Sequence, residues 1–305
     1  MIKVGIIEAD NPLAGELIRI LVNHPETVLE ALYAPNLVGR NLISVHHGLI
    51  GETSLNFTDK LNPEELDLII DLSDQPNLSN SKFLKGNENL KFISLKKESL
   101  SQLDSEKVEP GLSEINRKAL VRTAQGAYIL SPVIVPALIA LAPLADFLLL
   151  NSDIKIDIDI PYDLEIGSDL DKEINTLKEI LRIHQTSFTG DVELNISRNK
   201  ETERGITSKV NLSSPLSLEE IEKIYLQTYD DHNFTFITGS EVESKETEGS
   251  QKIVIYPHKP DPEKLELKIV ADGRLRGGAG DIVHVMNLFF GLHEKTGLHL
   301  KPSRF

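Results

Sequence analysis

Residues 5–15 read GIIEADNPLAG and run straight into ELIRIL. The apolar GII has the character of a strand end, EADN of a tight turn, and PLAGELIRIL of an amphipathic helix. Pro12 suits the first helical turn, and Asn11 or Asp10 is placed to cap it. A strand, turn and helix in this order is where a dinucleotide-binding domain puts a glycine-rich loop. Here the turn holds Glu8, Asp10, Asn11 and Pro12, with no glycine between Gly5 and Gly15.

Outward from that corner, the first half of the chain alternates strand and helix. Strands are predicted at 3–7, 29–33, 66–71 (LDLIID) and 90–95 (LKFISL), with a helix at 12–23. The rhythm predicts an α/β fold with a Rossmann-type doubly wound parallel sheet. Beyond residue 150 the pattern changes. DIKIDIDI at 153–160 alternates strictly, as a strand with one wet or partner-covered face does. Helices follow at 170–183 and 217–229, the second opened by a capping box of Ser217 and Glu220. Strands at 191–196, 205–212, 252–256 and 265–271 predict a central α+β domain with a mixed, largely antiparallel sheet, before a last helix at about 281–292. The expected division is 1–130 with 278–305, and 131–277. The charged run SEVESKETEGSQK at 240–252 reads as a solvated hairpin loop.

Residues 128–150, YILSPVIVPALIALAPLADFLLL, are numerous and apolar enough to span a bilayer. Pro132, Pro136, Pro143 and Asp146 interrupt the run, which therefore reads as a buried core helix followed by a hydrophobic strand. MIKVGII is too short an apolar run for a signal peptide, so the expected location is cytoplasmic, without membrane attachment. Among 305 residues, 32 basic against 47 acidic side chains give a net charge of −15. That disfavours nucleic acid and anionic lipid as partners. There is no cysteine, which excludes disulfides, thiolate zinc sites and thiol nucleophiles.

Several stretches together resemble the N-acetyl-gamma-glutamyl-phosphate reductase family, within the semialdehyde dehydrogenase superfamily. They are GGAGDIVHVMNLFFGLHEKTGLHLKPSRF (277–305), GLSEINRKAL (111–120), LIALAPL (138–144), VHHGLIGETSLNF (45–57) and RGI (204–206), in the family's order. The resemblance implies that 1–130 with 278–305 is an NAD(P)-binding-like domain. It implies that 131–277 is a semialdehyde-dehydrogenase-like dimerisation and substrate domain. It also implies reduction of an acyl phosphate by NADPH, through a thioester on a cysteine, with a histidine as acid and base.

Carried over residue by residue, those parts are degenerate here. The family's nucleophile falls at Pro132, beside Ser131. A serine at this place lacks a positioned base, and Pro132 offers no N–H to an oxyanion. The simpler role for Ser131 is the start of a helix. The family's His-Arg-His run falls at about Ser168 to Leu170, and the histidine nearest in sequence, His184, lies at the far end of that helix. The family's substrate loop is cut down to Pro161, Tyr162, Asp163 and Leu164, with roughly twenty residues gone. The three glycines of the cofactor loop become Glu8, Asn11 and Ala14, with Asp10 adding a second charge where a pyrophosphate belongs. The small hydroxyl residues for an NADP 2′-phosphate become Ala34, Pro35 and Asn36. Arg276, Gly277 and Gly280 remain from the final glycine-rich motif.

Other candidates have plainer readings. Glu8, Asp10, Asp71 and Asp74 at strand ends, or Asp157, Asp159, Asp163 and Glu165, raise a metal question, but a solvated acidic cleft and an exposed strand face account for them. His46 and His47 read as turn or packing residues. Arg204 and Arg276 are the best remaining anion contacts. RLRGGAGD at 274–281 lacks the Lys-Ser/Thr of a phosphate-binding loop. The expectation is a diverged family member without catalytic, cofactor-binding or metal residues, in a binding, regulatory or assembly role. Self-association through the central domain, or assembly with an active homologue, is expected. The alternative is an NADP-dependent oxidoreductase of arginine-biosynthesis type with altered chemistry, acting on an acyl phosphate or aldehyde.

Overall fold

The computed structural model describes residues 1–75, 89–167 and 169–302. Two compact units emerge: Met1–Leu130 with Gly278–His299, and Ser131–Gly277 with residues 300–302.

In the first unit, β1 (Ile2–Ile7), α1 (Pro12–Leu21), β2 (Thr27–Tyr33), β3 (Leu68–Asp71), β4 (Lys91–Ser94), β5 (Val108–Pro110), α2 (Ser113–Arg122) and β6 (Gly126–Tyr128) follow in turn. The strands form one six-stranded sheet in the order β2-β1-β3-β4-β6-β5, with every neighbouring pair parallel. Strands 3 and 4 are buried along nearly their whole length, as the continuous apolar runs at 66–71 and 90–95 require of a sheet covered on both faces. The chain's last helix, α6 (Ala279–Phe289), returns to this unit, packs on α1 and α2, and is buried at every position. Strand order reverses at β1 and β3, so the carboxyl ends of those two strands frame the crevice where this architecture binds ligands.

In the second unit, α3 (Val135–Asp146), β7 (Ile154–Pro161), α4 (Leu170–His184), β8 (Val192–Asn199), β9 (Gly205–Ser213), α5 (Leu218–Tyr229), β10 (Thr235–Ile237), β11 (Ile253–Asp261) and β12 (Lys264–Asp272) build a mixed sheet. Its order is β10-β11-β12-β9-β7-β8. The two edge pairs are parallel and the three central pairs antiparallel. Alternation in β7 buries Ile154, Ile156, Ile158 and Ile160 and leaves Lys155, Asp157 and Asp159 on the other face. Ser217 and Glu220 form the capping box reciprocally at the start of α5.

Helix α3 is apolar all round because it is buried from Val135 to Ala145. Pro143 inside it has no N–H, which removes the donor for the carbonyl of Ile139. The hydroxyl of Tyr229 donates to that carbonyl at 2.5 Å, and Tyr225 donates to the carbonyl of Ala140. Tyr229 on α5 thus satisfies the carbonyl that the proline leaves without its helical donor.

Two expectations need correction. FLLL at 147–150 is not a strand. The N–H of Leu148 bonds the carbonyl of Ala145 (2.9 Å) and that of Leu149 bonds Leu144 (2.8 Å), closing α3 in a Schellman pattern. Leu148 holds the left-handed position at φ 59°, and its side chain is 61% exposed. Nor is 240–252 a hairpin loop, because β10 and β11 pair in parallel and the segment is a crossover. Its small hydroxyl residues let it pack: Ser244, Thr247 and Ser250 are buried, with Ser250 Oγ donating to the Thr247 carbonyl at 2.7 Å. Glu248 accepts from the Gly205 N–H at 2.9 Å.

Candidate functional site

The turn between β1 and α1 sits at the reversal of strand order. Glu8 takes up a left-handed backbone conformation, φ 54°, the region that glycine favours. Its carbonyl accepts the Asn11 N–H at 3.0 Å, closing the turn. Asn11 then caps α1, its Oδ1 accepting the Leu13 N–H at 2.8 Å. Pro12 has no N–H, and the Ala14 N–H is taken by the Asn11 carbonyl at 2.9 Å. The first three positions of α1 therefore present no uncommitted N–H. Ala14 itself is buried.

Electrostatics at this corner are acidic. Burial, then the carboxylates of Asp71, Asp74 and Asp10, raise the Glu8 carboxyl above its ordinary range. Asp71 is fully buried and accepts from the Ser73 N–H (3.0 Å) and hydroxyl (2.5 Å). Asp10 and Asp74 are exposed. Among the described residues no group of three or more His, Asp or Glu side chains is arranged to hold a metal ion.

His46 closes the turn from the side. Its Nε2 lies 2.8 Å from the Ala9 carbonyl, and its ring packs so closely on Gly15 that a Cβ there would stand 2.7 Å from Nδ1. The one glycine in the first turns of α1 thus has a packing reason. His47 starts a short 3₁₀ turn, His47–Leu49. At the end of β2, Ala34 is buried and Pro35–Leu37 forms another 3₁₀ turn.

In the second unit, Pro132 is buried and Ser131 sits just before α3. The Ser131 Oγ accepts the Val133 N–H at 3.3 Å, and its carbonyl accepts those of Ile134 and Val135, both at 3.1 Å. Ser168 lies outside the described residues. Leu170 opens α4, which Asp169 caps by accepting the Lys172 N–H at 3.0 Å. His184, at the other end of α4, is 2.7 Å from Asp146 Oδ1. The 161–164 turn is clamped by Arg198, whose Nη1 donates to the carbonyls of Tyr162 (2.7 Å) and Leu164 (3.0 Å). Asp157 and Asp159 are engaged across the strand by Asn195 (3.0 Å), Ser197 (2.7 Å) and Asn199 (2.9 Å).

Arg276 is completely buried, and Arg204 is held by Asp272 at 2.6 Å. Neither is available as an open anion contact. Asp272, itself buried, also accepts the N–H groups of Gly249 (2.7 Å) and Arg274 (2.9 Å). Gly277 takes φ 73°, a conformation that explains its type, and Gly280 is buried in α6.

No family model matches the chain. Full-length relatives do. The N-acetyl-gamma-glutamyl-phosphate reductase of Parabacteroides distasonis is 33% identical over 329 aligned positions, with all of both chains covered. That of Phocaeicola vulgatus is 30% identical with the same coverage. The chain belongs to the N-acetyl-gamma-glutamyl-phosphate reductase family.

Solved structures agree on the fold. Aspartate semialdehyde dehydrogenase from Candida albicans, a complex with NADP, superposes with a TM-score of 0.71 at 13% identity, covering 95% of this chain and 98% of that one. Aspartate semialdehyde dehydrogenase II from Vibrio cholerae gives 0.69 at 13% identity, covering 95% and 99%. The alignment with the Parabacteroides reductase has 329 positions against 305 residues here, so at least 24 positions lack a counterpart in this chain. No helix among the described residues is long and apolar enough to cross a membrane.

Proposed function

We propose that this member of the reductase family does not carry out NADPH-dependent reduction and serves through its fold and surfaces, in a binding, regulatory or assembly role. The observation that carries the reading is the absence of any cysteine from the 305 residues. A thioester needs a thiolate, the family's nucleophile position falls at Pro132, and the hydroxyl of the neighbouring Ser131 accepts the Val133 N–H ahead of α3.

The β1–α1 turn supports the same reading. A pyrophosphate on a helix N-terminus needs backbone donors and room for close approach. This turn offers a proline, two committed N–H groups and a carboxylate at the left-handed position, so its residues do not fit the group. Glu8 in a glycine-like conformation supports descent from a glycine loop, with the backbone path kept and the donors withdrawn. The Arg198 clamp on 161–164 is in keeping with a substrate loop reduced to a closed turn.

The test is turnover. With N-acetyl-glutamate semialdehyde, phosphate and NADP⁺, the expected rate equals the buffer background, while an active relative assayed alongside responds. A rate above about 1% of that relative, a barrier difference of under about 3 kcal/mol, contradicts the proposal. For assembly, the proposed surface is the face of the second sheet that carries Lys155, Asp157 and Asp159. Light scattering should report a dimer or larger species, alone or with an active homologue, and a lone monomer in both samples counts against that part.

A further inference from the structure

Residues 292–299 follow α6 and belong to the first unit. His24, 3% exposed in the connection between α1 and β2, meets them together with Asn287 of α6, which is completely buried. We infer that His24 is a proton-operated latch: neutral, it holds 292–299 against α6, and on protonation in mild acid it lets that segment open.

Hydrogen bonds dictate the state of the ring. Asn287 Nδ2 donates to the carbonyls of Glu294 (3.1 Å) and Thr296 (2.8 Å), which fixes the amide and turns its Oδ1, an acceptor, toward His24. His24 Nε2 stands 3.0 Å from that oxygen and must carry a hydrogen. Nδ1 accepts the Glu26 N–H at 3.3 Å and must be bare. The neutral Nε2–H tautomer alone satisfies both sides. A proton on Nδ1 would face the Glu26 N–H with no acceptor between them, so the charged ring has to leave its seat. Gly297, at φ 70°, carries that departure to the segment: its backbone packs so closely on the ring that a Cβ there would overlap His24 Cδ2. Leu298, next to it, is buried and would be uncovered.

The surrounding charges do not hold the imidazolium in place. Glu26, exposed on the same connection, acts on His24 only weakly. Arg19 of α1 is paired with Glu16. Glu294 of the segment is engaged by His284 of α6 (2.8 Å) and Arg117 of α2 (3.3 Å). His293, Lys295 and His299, the other titratable side chains of 292–299, are neutral or cationic and offer no counter-charge. Burial therefore pushes the imidazole below its ordinary range, against the Asn287 and Thr296 hydrogen bonds and Glu26. The open form binds the proton more tightly than the latched one, so the hold is complete above about pH 6.5 and weakens as pH falls below it. Glu294, which burial raises but His284 and Arg117 bring below the ordinary carboxylate range, gives way only in stronger acid. The latch uses neither the β1–α1 turn nor residues 131 and 132, so it stands whether or not the chain is a reductase.

Hydrogen exchange of the full chain at about pH 7.5 and 5.5, read by mass spectrometry and corrected for the intrinsic rate, tests the latch. Protection of 292–299 should fall about tenfold between the two, the ratio for a ring that titrates near 6.5 once open. At both values it should stay at least about tenfold below that of β3 and β4, which exchange by global unfolding. His24→Gln offers a donor and an acceptor but takes up no proton, so its protection of 292–299 should agree within about twofold at the two pH values. Glu294→Gln should keep the tenfold change, and it serves if the first variant folds poorly. Four results overturn the proposal: equal protection at both pH values in the parent, protection of 292–299 equal to that of β3 and β4, a parent-like fall in His24→Gln, or loss of the fall in Glu294→Gln.

Discussion

Replacing Glu8 by glycine should stabilise the protein, although the substitution removes a side chain and buries nothing. Glu8 stands at φ 54°. A non-glycine residue there costs about 1–2 kcal/mol relative to its preferred conformations. Glycine removes that strain but returns about 0.5–1 kcal/mol through the freedom it adds to the unfolded chain. The net for Glu8→Gly is a gain of about 0.5–1 kcal/mol, or a Tm rise of roughly 1–4 °C for a unit of this size. Charge adds a part that depends on pH. Because burial and the carboxylates of Asp71, Asp74 and Asp10 raise the Glu8 pKa in the folded state, the folded protein holds this proton more tightly than the unfolded chain. The stabilising contribution is complete below the unfolded pKa and is lost as pH rises through the folded one. Glu8→Ala removes the charge but keeps the strained Cβ, so it separates the two parts. Urea unfolding followed by circular dichroism, at pH 4 and pH 7, should rank glycine above alanine at both values. Each variant should gain more over the parent at pH 7. A Glu8→Gly variant less stable than the parent, or a Glu8→Ala variant that matches Glu8→Gly at pH 4, would refute strain at residue 8.

Three further expectations follow from the packing. Tyr229→Phe should cost about 1–2 kcal/mol, because it strips the donor from the buried Ile139 carbonyl. In a Pro143→Ala background, which restores a main-chain donor, the same change should cost under about 0.5 kcal/mol, and additive losses in this double-mutant cycle would contradict the pairing. Leu148→Gly should raise stability by about 0.5–1 kcal/mol in thermal melts, since it frees a left-handed Schellman position, whereas Leu148→Ala should not. Asp272→Asn should destabilise by about 1–3 kcal/mol in urea unfolding, because it removes the buried charge that accepts from Arg204 and from the Gly249 and Arg274 N–H groups.

Much of the architecture was legible in residue order. Continuous apolar runs at 66–71 and 90–95 became the inner strands β3 and β4, and strict alternation at 153–160 became β7, half-buried by face. Ser217 and Glu220 declared a helix start that the structure reproduces atom by atom. What failed did so where local pattern and tertiary context compete. Four apolar residues at 147–150 suit a strand by composition, but their N–H groups are spent on closing α3. The charges at 240–252 masked interleaved serines and threonines able to satisfy one another while buried. Arginine type alone could not separate Arg276, sealed in the interior, from Arg274, two positions earlier at a cleft. Nor does a glutamate announce in sequence that it occupies a left-handed backbone position. Its place in a strand-turn-helix corner was the only clue.

NADPH binding tests the altered β1–α1 corner most directly. Calorimetric titration and thermal melts of the intact chain with NADPH up to about 1 mM should give no saturable heat and a Tm change under about 1 °C. A dissociation constant near 10 μM would instead stabilise the protein by about 2.7 kcal/mol at that concentration. It would raise Tm by roughly 5–10 °C. A shift of that size, abolished when the β1–α1 turn is altered, would contradict the account.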